Sequence, residues 1–321
     1  MTSFSRILGH DLQRAELLDA AASGRMHHGW ILAGSEGIGK ASVARSIALS
    51  LLAGEAGEVP DHHPAAHLFT AGTHPDYAEL SRVEKDNGDL ARNISVDQVR
   101  GLHRLLESAP SIASRRVILI DSADDLERGA ANALLKSLEE PPQGVVFLLV
   151  SHAPSRLLPT IRSRCRMLRF SALDESTMRR ALADARPDLP DHELAGLIEI
   201  GNGSPGRALG FAGLGIAEMN AALARIAATG DPDNAERLTL AQSLALKSAR
   251  LRFVAFLEHA PAFIAAQARA RHGDALATSL AAWDEARRLA GGAILLSLDP
   301  ATVVFELCSQ VASLARQTAE V

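Results

Sequence analysis

At 321 residues with 47% apolar side chains, the chain is long enough for two or three packed domains rather than one. A formal charge of -5 excludes a protein that wraps nucleic acid by itself, because such affinity comes from clustered Lys and Arg neutralising phosphates. With cysteines only at Cys165 and Cys308, neither a disulfide framework nor a cysteine zinc site can be built, which suits the cytoplasm, and with a longest apolar run over 144–150 no membrane anchoring is signalled.

Aromatic residues make up 4% of the chain while Ala and Leu dominate, so a mostly helical α/β protein is expected. Residues 12–22 read as a helix, and 30–33 as a short buried strand running into a glycine-rich turn. The helix over 40–52 places Val43, Ala44, Ile47, Ala48 and Leu51 on one stripe that faces a core. Residues 54–74 carry Gly, Pro, Asp and four histidines without periodicity and read as a loop or small insertion. Ser95 followed by Gln98 has the form of a capping box opening a helix to about Ser108. Residues 117–120 form a strand ending at Asp121, a helix over 129–140 stops at Pro141-Pro142, and 145–150 form another apolar strand. Strands alternating with helices imply a parallel, doubly wound sheet with its ligand crevice at the strands' carboxyl ends, where the Gly34 turn, Asp121 and Ser151 fall. Beyond Phe170 no strand pattern recurs. Residues 174–213 read as short helices broken by Pro187, Pro190 and a glycine turn, and segments near 235–258, 260–289 and 301–318 as a helical bundle.

Gly34-Ser35-Glu36-Gly37-Ile38-Gly39-Lys40 matches a phosphate-binding loop set between a strand and a helix. There the backbone N–H groups cradle phosphates and Lys40 reaches the β and γ groups. Two chemical groups are missing. The residue after the lysine, whose hydroxyl should hold Mg²⁺, is Ala41, and Ser42 points roughly 100° away on the helix. Asp121 fits the acidic metal-organising position, but Ser122 stands where a catalytic Glu belongs, so attacking water has no base to orient it. An ordinary strand-to-helix turn with a solvated lysine accounts for the same loop residues.

In order and spacing, several further motifs resemble the bacterial DNA polymerase III clamp-loader subunits of the AAA+ class. They are His10 to Gln13, Gly24 to Trp30, the phosphate loop, Asn132 to Pro142 (NALLKSLEEPP), Arg162-Ser163-Arg164-Cys165 and Gly203 to Leu209. The resemblance covers residues 7–170 well, while the last hundred residues match only in being helical. It implies an AAA+ P-loop type α/β domain over 1–172 with a degenerate nucleotide site, a small helical lid over 173–213, and a C-terminal all-α collar domain over 214–321. Ala41 and Ser122 favour the non-hydrolysing type of subunit over an ATP-hydrolysing gamma or tau type that uses its own loop.

By the same resemblance, five such modules form an open ring in which each ATP is shared with the Ser-Arg-Cys arginine of the next subunit. Arg164 becomes an arginine finger acting in trans; capping a helix end or pairing with a carboxylate is the plainer role for it. Ser151 matches a nucleotide-sensing position or is a satisfied turn hydroxyl, and Arg207 matches a second sensor or bridges domains. Arg100 and Arg104, four residues apart, are candidates to touch DNA phosphates, or are solvated surface arginines. The implied partners are gamma or tau and delta in a hetero-pentamer and, through the assembled complex, the sliding clamp and primed DNA, with no membrane. No independent catalysis is expected and no cofactor is required, although ATP or ADP can occupy the loop. The four-cysteine zinc module common in these subunits is absent, and His62, His63, His67 and His74 without thiolates give no reason to expect zinc or another metal.

Overall fold

Apolar runs bounded by turn residues become strands, and periodic Ala- and Leu-rich stretches become helices. The computed structural model describes residues 7–85, 88 and 90–315, without the side chains of Arg104 and His192. It divides into two compact units, Met1–Ala181 with Gly203–Gly206 and Leu182–Asn202 with Arg207–Val321. In chain order the first unit contains α1 (Asp11–Ala22), β1 (Gly29–Ala33), α2 (Lys40–Ala53), α3 (Pro64–Thr70), β2 (Tyr77–Leu80), α4 (Val96–Gly101) and α5 (His103–Leu106). There follow β3 (Arg116–Ile120), α6 (Arg128–Glu139), β4 (Val145–Ser151), α7 (Pro159–Arg164), β5 (Arg166–Arg169) and most of α8 (Glu175–Ala185).

The five strands pair in parallel in the order β2-β3-β4-β1-β5. Alternate residues feed two cores, as a sheet covered on both faces requires. Trp30, Leu32, Val117, Leu119, Val146 and Leu148 pack with Val43, Ile47 and Leu51 of α2. Ile31, Ile118, Ile120, Phe147 and Leu149 pack with Ala130, Leu134 and Leu138 of α6. This is the parallel sheet with helices on both faces that the sequence led us to expect.

Several local expectations are corrected. The stretch 54–74 is not all loop: α3 forms there, with Pro64 in its first turn and the His63 side chain accepting from Ala65 N–H (3.1 Å). The Ser95–Gln98 capping box is present, but the helix it opens stops at Gly101 and resumes at His103. Arg100 and Arg104 therefore stand on two short helices rather than one continuous face. Among the described residues no His, Cys, Asp and Glu are grouped so as to hold a metal ion, and no helix is long and apolar enough to cross a membrane.

The second unit is all helical: α9 (Asp191–Gly201), α10 (Pro205–Gly210, begun in the first unit), α11 (Ile216–Thr229), α12 (Ala235–Leu244), α13 (Arg250–Ala268), α14 (Gly273–Ala293) and α15 (Pro300–Ala312). Leu223, Ile226, Phe256, Ile264, Val304, Leu307 and Val311 are among its fully buried residues. Helix boundaries differ from expectation: the break placed between residues 258 and 260 is absent, and Pro261 stands within a helix. It lies buried inside α13, and the breaks fall instead near residues 245–249 and 269–272.

His259 of α13 is 2% exposed and neither ring nitrogen has a hydrogen-bond partner. Burial pulls its pKa from 6.5 down to about 4, so the folded protein keeps it neutral where an unfolded chain takes up a proton. The stability it permits is complete above pH 6.5 and is lost as pH falls toward 4, at up to about 1.4 kcal/mol per pH unit. Accordingly, His259→Leu is expected to shrink the stability difference between pH 7 and pH 5 by roughly 2 kcal/mol, measured by urea unfolding at both values. An unchanged difference contradicts this assignment.

Candidate functional site

Tight packing explains the glycines of the phosphate loop. A Cβ on Gly34 would lie 2.6 Å from Phe170 O and 2.8 Å from Ile38 Cδ1, while Gly37 and Gly39 adopt φ of 74° and 102°, which favour glycine. Lys40 opens α2 but is only 2% exposed. Its ammonium donates back to Gly34 O (2.7 Å) and Ser35 O (2.6 Å) and lies 3.0 Å from His152 Nδ1. Burial lowers its pKa to about 8, against the pull of Asp121, Asp124 and Glu36. The loop's own carbonyls thus hold the ammonium.

The segment from Gly203 to Gly206 belongs to the same unit and closes on this loop. Ser204 Oγ donates to Glu36 O and Gly206 N–H to Gly37 O, each at 2.8 Å. Gly206 approaches so closely that a Cβ there would lie 2.8 Å from Gly37 Cα.

Asp121 follows β3 at the crevice, where the sequence placed it, but its partner is intramolecular. Arg45, one turn beyond Lys40 on α2, reaches Asp121 at 3.1 Å and Glu79 at 2.6 Å. Tyr77 Oη donates to Glu79 at 2.7 Å. Burial pushes the Asp121 carboxyl above its ordinary range, with Arg45 opposing. Ser151 Oγ donates to Asp124 (3.0 Å), which also accepts from His152 N–H (2.6 Å) and Ala153 N–H (3.1 Å). Asp124 is therefore a clamp on the end of β4. These residues do not fit a Mg²⁺-dependent hydrolytic centre: position 41 lacks a hydroxyl, Asp121 is taken by a guanidinium, and Ser122 Oγ donates to Asp125.

Arg164 sits elsewhere. It ends α7, and Gly29, the first residue of β1, lies so near that a Cβ there would be 2.8 Å from Cys165 Sγ and 3.4 Å from Arg164 O. The phosphate loop leaves the other end of β1, on the order of 13 Å along the strand. The Ser-Arg-Cys motif has local explanations. Cys165 packs against the bare Gly29 backbone, and burial pushes its thiol up to about 12, so it stays protonated. Ser163 Oγ donates to Thr160 O (3.1 Å). Arg164 Nη1 donates to Thr160 O (3.0 Å) and Ser163 Oγ (3.3 Å), and Nη2 pairs with Glu139 at 2.8 Å. The side chain is 33% exposed.

The structure brings Gly34, Gly37, Gly39, Lys40, Asp121 and Ser151 together at one end of the sheet. It keeps Arg164 at the other end. Arg207 belongs to the second unit, where it pairs with Glu258 at 3.4 Å. Arg100 is exposed and pairs with Asp97 at 3.6 Å, whereas the Arg104 side chain lies outside the described residues. Sequence reasoning missed Arg45, Glu79, His152 and Glu139. Each acts through a residue far away in the chain, apart from the Tyr77–Glu79 contact, and no local spacing marks them.

A family model described as DNA polymerase III, delta subunit matches residues 10–174. Over 200 residues the chain is 40% identical to DNA polymerase III subunit delta' of Pseudomonas aeruginosa, covering 60% of this chain and 58% of that protein. It is 35% identical over 150 residues to subunit delta' of Haemophilus influenzae, covering 46% and 44%. Against subunit tau/gamma of the same organism it is 32% identical over 187 residues, covering 56% and 25%. The chain thus spans between 25% and 58% of the length of these relatives.

Proposed function

We propose, from the premise that the chain belongs to the DNA polymerase III delta subunit family, that it works as a delta-prime-type clamp-loader subunit that lends Arg164 to ATP held by a neighbour. One observation carries this reading. Arg164 stands partly exposed at the end of β1 opposite the chain's own phosphate loop, so a phosphate within its reach belongs to another molecule. A guanidinium is always charged and presents a rigid fork to phosphate oxygens, and it can stabilise charge developing on a transferred phosphoryl group. The neighbour is a gamma or tau subunit. With delta these form the hetero-pentamer that places the sliding clamp on primed DNA, and the helical second unit contributes to the collar that holds it together.

In this proposal the chain's own loop does not turn ATP over, and no cofactor is needed for the role. Support comes from Ala41, Ser122 and the Arg45–Asp121 pair. Should ATP or ADP enter, Gly34, Gly37, Gly39, Lys40 and Ser151 are the residues to meet it, and Arg207 is the candidate sensor. Arg100 and Arg104 remain the candidate contacts to DNA.

The purified chain is expected to show no ATP turnover above background, and to co-elute with gamma or tau and delta. Turnover that Lys40→Ala removes assigns the chain instead to gamma/tau-like ATPases. Failure to join the two partners contradicts the clamp-loader role itself.

A further inference from the structure

Glu139 has no part in the function proposed so far, yet its carboxylate makes the shortest contact to the Arg164 guanidinium, 2.8 Å from Nη2. We infer that Glu139 is a positioning residue that holds Arg164 in the orientation from which it meets a neighbour's phosphate; this rests on the finger reading above.

Both ends of the contact are built into the fold. Glu139 is the last residue of α6, which Pro141 and Pro142 prevent from continuing. The carboxylate therefore sits at a fixed helix terminus, where unpaired carbonyls add negative potential that draws a cation. Arg164 ends the neighbouring helix α7, whose backbone is fixed by Cys165 packing against Gly29.

The guanidinium is held at two points. Nη1 donates to Thr160 O and Ser163 Oγ, and Nη2 to Glu139. A guanidinium carries five N–H donors, so others stay available for a phosphate. A long arginine loses much rotamer freedom on docking, and a side chain already held loses less. The pair is also weak enough to yield. Arg164 is 33% and Glu139 48% exposed, and ion pairs at such exposure hold loosely. Glu139 therefore sets direction without trapping the charge.

Such a role acts through Arg164 and in the transition state, where a misplaced group costs rate rather than affinity. The test uses the fully assembled loader carrying Glu139→Gln, Glu139→Asp, Arg164→Ala or the Gln and Ala changes together, with clamp- and DNA-stimulated ATP hydrolysis as the readout. Glu139→Gln is expected to lower the rate of hydrolysis at the site served by Arg164 about tenfold, with KM for ATP nearly unchanged. Glu139→Asp, which keeps the charge, is expected to recover most of the loss. Added to Arg164→Ala, the Gln change is expected to have no further effect, since the residue it acts through is gone. An unchanged or raised rate at that site in Glu139→Gln overturns the inference, as does an equal loss in the Arg164→Ala background. Full activity of Arg164→Ala alone removes the finger reading and the inference with it. The two failures are distinguishable because each has its own variant.

Discussion

Arg164→Ala is expected to slow hydrolysis about 10³-fold or more at the neighbouring nucleotide site that the proposed function assigns to it, in a loader that still assembles. The size follows from what a guanidinium supplied in trans does: it neutralises charge that develops on the transferred phosphoryl group, an interaction stronger in the transition state than in the ground state. Assembly survives because Arg164 is partly exposed, and its partners within the chain are Thr160 O, Ser163 and Glu139. Losing an exposed ion pair costs at most about 1 kcal/mol. Arg164→Lys restores little, since an ammonium is a point charge without the planar fork. Single-turnover ATP hydrolysis and clamp transfer to primed DNA, measured on loader rebuilt with gamma or tau and delta, check the expectation. Wild-type rates in the Ala variant exclude the finger assignment.

Asp76→Ala is the second large effect, and it falls on stability rather than chemistry. Asp76 and Arg116 are 0% and 1% exposed and pair at 3.1 Å. The carboxylate also accepts from the N–H groups of Ser111 (2.6 Å), Ile112 (2.8 Å) and Ala113 (2.9 Å). Arg116 further donates to the carbonyls of Leu105, Ser108 and Ala109. The pair thus ties the segment after α5 to the start of β3. Burial alone would raise the Asp76 pKa, but these donors together hold it below 3.8. Its stabilising contribution is present above that ordinary value and is lost as pH falls through the lowered one. Removing the carboxylate strands a buried guanidinium and three N–H groups, for which about 3–5 kcal/mol is the expected cost. Urea unfolding of the Ala variant reads this directly, and a loss under about 1 kcal/mol contradicts the pinning role.

The parts of the fold legible in the sequence are those whose signal is local. β1, β3 and β4 are runs without a charged residue apart from Arg116, because the centre of a parallel sheet is buried on both faces. The edge strands β2 and β5 escaped notice. YAEL and RMLR are short and half polar, since one side of each faces no further strand. α3 was hidden in a stretch of His, Pro and Gly, and the break expected between residues 258 and 260 falls inside α13, which continues through the buried Pro261. In the site, the missing groups at Ala41 and Ser122 were legible because each has a fixed offset from the loop or strand. What replaces them was not. The Arg45–Asp121 pair spans 76 residues and the Lys40–His152 contact 112, so only the folded sheet brings them together. The position of Arg164 at the opposite end of β1 has the same origin, because it follows from β5 pairing in parallel beside β1.

The most direct measurement is a structure of the loader assembled from this chain, gamma or tau, and delta, with a non-hydrolysable ATP analogue bound. The guanidinium of Arg164 should then lie within about 2.7–3.2 Å of a terminal phosphate oxygen on the adjoining subunit. Finding it bonded only inside its own chain, with that phosphate out of reach, would contradict the role assigned to it.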